Sequence, residues 1–223
     1  MLFDAHTHQN YICKDIISIL NFDIAREESL NNIPESFFST GIHPWYSEIE
    51  KVNQQLQILA GLALNKKCLA IGECGIDKLR GPSLKFQIEI FEKQAQLAHE
   101  FKKPVIIHAV KSFSEILHLH RKMKPAAPWI IHGFRKDIIQ ARQLVDKGIV
   151  LSLGGDFLNH ANILSFFAEI DLDFILFESD KSGYAVIKDL YKKVSEVKNI
   201  EIGQLERAIA NNFERIFKVC DDE

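Results

Sequence analysis

Short runs of β-branched and aromatic residues recur along the chain, each closed by polar or glycine positions. They lie at residues 2–8 (LFDAHTH), 15–22 (DIISILNF), 36–43 (SFFSTGIH), 68–75 (CLAIGECG), 104–109 (PVIIHA), 129–134 (WIIHGF), 149–155 (IVLSLGG) and 174–180 (FILFESD). Runs of this length and composition predict eight strands. From the fourth onward they alternate with helical periodicity. In 83–102, Phe86, Ile90, Phe91, Gln94 and Leu97 recur at three- and four-residue spacing, and similar stretches follow at 112–124, 136–148, 159–170 and 203–217. Gly148 ends the third of these where a helix C-cap is expected. Strand followed by helix, repeated, means parallel βα units. Eight strands without a linker, repeat or low-complexity break predict one α/β domain over residues 1–223, a (β/α)8 TIM-type barrel. Its start is expected to be irregular and to lack the first helix. Only seven residues separate His8 from Ile16, and a helical crossover between parallel strands needs about a dozen. A doubly wound sheet is the structural alternative, since the same alternation builds both. No G-x-G-x-x-G or P-loop pattern is present.

Composition narrows the class. A chain of 223 residues with 47% hydrophobic and 26% charged residues can bury a sizeable core, which excludes disorder, collagen and a small disulfide scaffold. Its 27 basic and 30 acidic residues give a net charge of −3, so there is no global basic footprint for nucleic acid. A phosphate-bearing substrate must therefore be held locally, by metal ions for example. The opening MLFDAHTHQN has no signal-peptide pattern and no stretch approaches a membrane span. A cytoplasmic protein with no membrane association and no obligate protein partner is expected. Cys13, Cys68, Cys74 and Cys220 form no CxxC pair and read as reduced thiols.

Asp4, His6 and His8 alternate along the first strand and so share one face. Two histidines two residues apart on one face can chelate one metal, but an HxH pair alone equally suits a polar strand end. The other strand ends decide between the two. Glu73 closes the fourth run, His108 the fifth, His132 the sixth and Asp180 the eighth. In a parallel barrel the C-terminal strand ends converge on one rim, so these residues are expected to meet there as a metal site. Four imidazoles and two carboxylates exceed what one tetrahedral ion needs, which points to two divalent ions, with Glu73 as the natural bridge. Imidazole-rich ligation suits Zn, Mn or Fe better than Mg.

With these residues in place, the chain resembles the TatD family of metal-dependent hydrolases, within the amidohydrolase-like barrels. The likeness is carried by FDAHTH, TGIHPW, AIGECGID, the segment QxxxFEKQAQLA before KPVIIHA, FESD and NNFERIF, in the family's order from Phe3 to Phe217. It implies a TIM-type barrel, a divalent-metal site at His6, His8, Glu73, His108, His132 and Asp180, and hydrolytic activity, commonly on DNA with 3′-to-5′ exonuclease behaviour. The chain departs from the family pattern in places. Val110 stands where the family often has an arginine after its strand-five histidine, Glu178-Ser179-Asp180 replaces ETD, and Lys78-Leu79 replaces an aromatic pair.

The expected mechanism uses Asp180 as metal ligand and general base and Glu73 as its catalytic partner at the metals. Divalent ions lower the pKa of water toward neutrality and steady charge developing on a phosphoryl oxygen. His43 ends strand three on the same rim and reads as a substrate contact or as support for a ligand. Trp45 suits stacking on a base. Lys111 and Arg135 follow strands five and six and suit phosphate contact, with solvated loop cations as the plain alternative. His99, His118, His120 and His160 lie in helical stretches away from the rim, and Cys74 faces away from Glu73 into packing. The leading expectation is a deoxyribonuclease. The rivals are a metallohydrolase acting on an ester or amide, and a non-catalytic metal-binding barrel.

Overall fold

The computed structural model describes residues 1–11, 13–24, 33–159 and 162–219. His160 and Cys220 lie outside them. The strands are β1 (Leu2–Thr7), β2 (Ile16–Asp23), β3 (Phe38–Gly41), β4 (Cys68–Asp77), β5 (Val105–Val110), β6 (Trp129–Ile131), β7 (Val150–Leu153) and β8 (Ile175–Phe177). The helices are α1 (Val52–Ala63), α2 (Leu84–Phe101), α3 (Phe113–Met123), α4 (Ile138–Val145), α5 (Ile163–Glu169), α6 (Ala185–Lys198) and α7 (Ile202–Phe217). All eight strands form one sheet in chain order. Past β8, the Asp180 N–H donates to the His6 carbonyl at 3.0 Å and the His8 N–H to the Asp180 carbonyl at 2.8 Å, so β1 also meets the β8 end. That order is the one a (β/α)8 barrel requires. No helix stands between β1 and β2 among the described residues, as the short spacing predicts.

The chain divides into two compact units, Met1–Leu20 with Ile131–Glu223, and Asn21–Ile130. In the first, α6 and α7 fasten β1 and β8. The Phe3 N–H donates to the Tyr191 hydroxyl at 3.2 Å, and the Phe213 ring lies 4.7 Å from Phe3. The Asn212 side-chain amide donates to the carbonyls of Leu172 (2.6 Å) and Ile175 (2.9 Å), anchoring α7 to the start of β8. The NNFERIF motif thus supplies one buried polar clamp and a run of phenylalanine and isoleucine packing.

In the second unit β4 is buried over all ten of its residues. Gly72 and Gly75 let it approach β5: a Cβ at Gly75 would lie 2.1 Å from the His108 carbonyl oxygen, and one at Gly72 2.4 Å from that of Ile106. Ser83 caps α2 by accepting from the Phe86 N–H, and Gln87, Ile90, Phe91, Gln94, Ala95 and Ala98 form its buried face. The two glutamines on that face, seven residues apart, are clamps. Gln94 accepts from the Ile42 N–H (2.6 Å) and donates to the Ile42 carbonyl (3.1 Å), which fixes the chain beside His43. Gln87 accepts from the Asp77 N–H (2.8 Å) and donates to the Asp77 carbonyl (3.0 Å), fixing the end of β4. Helices α1 and α6 lie outside the stretches that periodicity marks; their N-cap residues, Lys51 and Tyr184, make no side-chain cap bond.

Candidate metal centre

In the first unit β1 ends on His6 and His8, and the turn after β8 brings Asp180 beside them. Asp180 Oδ1 lies 3.3 Å from His8 Nε2 and 4.0 Å from His6 Nε2. His6 Nε2 is thus outside hydrogen-bond reach of that oxygen, yet all three residues offer a ligand atom within 4.8 Å of one another. Asp180 has φ 47°, a left-handed conformation that a non-glycine residue adopts at a cost and that here turns its side chain back toward β1. His132, directly after β6, stacks at 4.7 Å from the His6 ring. Its Nδ1 lies 3.4 Å from Glu178 Oε1, an oxygen that also accepts from the Gly133 N–H at 2.7 Å. Glu178 is fully buried.

Asp4 supports this set from below. Its carboxylate accepts from the Ser179 N–H (2.9 Å), the Ser179 hydroxyl (2.6 Å) and the Tyr11 hydroxyl. Burial is the largest influence on Asp4 and pushes its carboxyl up to about 6, against the opposing pull of those hydrogen bonds. Burial and the nearby Asp4 charge raise the Tyr11 hydroxyl. Ser179 is the residue before Asp180, so this network holds the turn that presents the aspartate.

The second unit carries Glu73 and His108 with His43 and Asp77. Glu73 Oε1 lies 2.8 Å from His108 Nδ1 and 3.1 Å from His43 Nε2. His43 Nδ1 accepts from the Trp45 N–H at 3.2 Å, which leaves the proton of a neutral His43 on Nε2, donating to Glu73. On the far side of His108, Nε2 lies 3.2 Å from Asp77 Oδ2, which also accepts from the Trp45 indole N–H at 2.6 Å. Burial works to raise the Asp77 carboxyl, but bonds from Trp45, Leu79 and His108 outweigh it and hold it below the usual carboxylate range. With the Nε2 proton of His108 given to Asp77, Nδ1 meets Glu73 Oε1 lone pair to lone pair. That donor pair fits a cation. His43, Glu73 and His108 also offer ligand atoms within 4.8 Å of one another.

The residues predicted to touch substrate are placed differently from one another. Trp45 is half-buried and carries the Arg80 guanidinium over its ring at 3.9 Å. Lys111 is exposed just past β5. Arg135 pairs with Asp156 at 2.6 Å, both well exposed. Cys74 is fully buried. Sequence reasoning did not single out Asp77, Glu178 or Tyr11 as site residues. Asp77 stood inside the quoted AIGECGID motif and Glu178 inside FESD, but their histidine partners are 31 and 46 residues distant.

The family model for TatD-related DNases matches residues 5–218. The chain belongs to this family. It is 27% identical over 202 residues to YcfH of Escherichia coli K12, an uncharacterized metal-dependent hydrolase, covering 82% of this chain and 74% of YcfH. It is 26% identical over 255 residues to YabD of Bacillus subtilis, also an uncharacterized metal-dependent hydrolase, covering 98% of this chain and all of YabD. The crystal structure of the Escherichia coli TatD homolog YjjV superposes with a TM-score of 0.80 at 20% identity, covering 98% of both chains. The TatD-family fold is thus shared from end to end.

Proposed function

We propose that this TatD-family metal-dependent hydrolase cleaves phosphodiester bonds of DNA, shortening single strands from the 3′ end. The observation that carries this reading is the pair of donor sets, His6–His8–Asp180 with His132, and Glu73–His108 supported by His43, each compact within its own unit. Nitrogen and carboxylate donors in this mixture fit divalent Zn, Mn or Fe, one ion for each set. Bound there, such ions supply Lewis acidity toward a phosphoryl oxygen and water acidic enough to ionise near neutral pH.

The chain's own groups do the rest. Asp180, 39% exposed at its side chain, is the carboxylate open to solvent in its set and accepts the proton of the attacking water. His6 and His132 stack behind it and exclude solvent. Glu73 is nearly buried and is oriented by His43 and by its own N–H, which donates to Asn21 Oδ1 at 2.9 Å. Water adds to phosphorus, one proton passes to Asp180, and the leaving oxygen departs with a proton returned from solvent or from that residue.

A second reading directs the same groups at an ester or amide. The net charge of −3, with no basic majority to attract a polyanion, favours it. End-labelled single-stranded DNA, given to chelator-stripped protein with Mn²⁺ or Zn²⁺ added back, separates the two. Stepwise 3′ shortening that needs metal and falls by about 100-fold or more in Glu73→Gln and Asp180→Asn is expected. A metal-loaded, folded wild type that leaves the strand intact, while hydrolysing carboxylic esters, would transfer the assignment to the second reading.

A further inference from the structure

Arg80 stands three residues beyond β4 and is fixed there by contacts other than an ion pair. Its guanidinium carbon sits 3.9 Å above the Trp45 ring centre. The indole cannot easily swing away, because its N–H is bonded to the same Asp77 oxygen that holds His108. The backbone is held as well: the Arg80 carbonyl accepts from the Gln87 amide at 3.1 Å. The next residue, Gly81, has φ 96°, and a Cβ there would meet the Pro44 carbonyl oxygen at 2.6 Å. The loop is therefore pressed onto the His43–Pro44–Trp45 segment in a way only glycine permits.

Lys78, two residues earlier, pairs with Glu115 at 2.6 Å. Among the described residues Arg80 has no carboxylate partner, and its side chain is exposed. A guanidinium stacked on an aromatic face keeps its N–H edges directed outward, in a planar fork that matches two oxygens of a phosphate. We propose that Arg80, presented on the Trp45 shelf, binds a phosphate of the substrate strand next to the bond being cut. The shelf connects to the donor set through Asp77 and His108, and the Trp45 and His108 rings are 5.3 Å apart. Arg80 thus offers local positive charge that the net composition lacks. This assignment rests on the phosphodiester reading above.

The test compares wild type, Arg80→Ala and Arg80→Lys, all metal-loaded. Hydrolysis of a single-stranded oligonucleotide is followed over a range of salt, and binding of a phosphorothioate oligonucleotide is followed by tryptophan fluorescence. Trp129, fully buried, supplies a constant background. Arg80→Ala is expected to raise KM roughly tenfold with kcat within about threefold, and to flatten the log–log salt dependence by about one. Arg80→Lys should keep the salt slope but not the affinity, because an ammonium has no planar fork. An active wild type whose Arg80→Ala variant has unchanged KM and salt slope would overturn the Arg80 assignment alone. A wild type that neither binds nor cleaves the strand would overturn the DNA reading, and this assignment with it.

Discussion

His108 shows how much of the site's chemistry is decided one atom away from the proposed ligand. Its Nε2 lies against Asp77 and its Nδ1 against Glu73, so the residue meets a carboxylate at each nitrogen. A proton on Nε2, donated to Asp77, leaves Nδ1 with a lone pair for a cation. Replacing Asp77 with Asn swaps a charged acceptor for a neutral amide and loosens that choice. Asp77→Asn should keep the fold by circular dichroism and bind metal about 10- to 100-fold more weakly in competition with a chromophoric chelator. Unchanged affinity would show that His108 is oriented by packing alone. The same variant should alter Trp45 fluorescence, because the indole N–H loses its charged partner.

At the scale of elements, the strands were legible and part of the helical layer was not. Every one of the eight runs overlaps a strand, because short β-branched segments ending in a polar residue have few other solutions in a βα chain. The observed strands are often shorter than the runs. WIIHGF yields only Trp129–Ile131, since His132 and Gly133 turn away to meet Glu178. Helices α2 and α4 announce themselves by Ser83 and Asp137, whose side chains accept from N–H groups of the first turn. By contrast α1 and α6 have lysine and tyrosine at their N-caps, so no start signal separates them from the loops before them. The site divides the same way. Residues at strand ends could be picked out from the alternation, whereas the carboxylates behind them require the register of distant strands.

The α7 clamp belongs to this scale. Asn212→Ala removes the donor from two carbonyls at the base of β8 while leaving the apolar face of the helix intact. Each buried acceptor left short costs about 1–3 kcal/mol. A lower urea midpoint at unchanged m-value is expected, and an unaltered midpoint would mean that the helix is held by Phe213 and its neighbours alone.

For the whole molecule, each unit places its candidate ligands in the C-terminal half of its strands or just beyond them: His6, His8, His132 and Asp180 in one, Glu73, Asp77 and His108 in the other, where loops can vary without disturbing the core. A net charge of −3 gives the chain no overall attraction for a polyanion. No helix of the described residues is long and apolar enough to cross a membrane. The central claim is that the donor sets of this chain hold two divalent ions. Native mass spectrometry of protein stripped and then reloaded with Zn²⁺ or Mn²⁺ tests it most directly. Two ions are expected on the wild type and fewer than two on each of Glu73→Gln and Asp180→Asn. A wild type that takes up no ion, or variants that both keep two, would contradict the account.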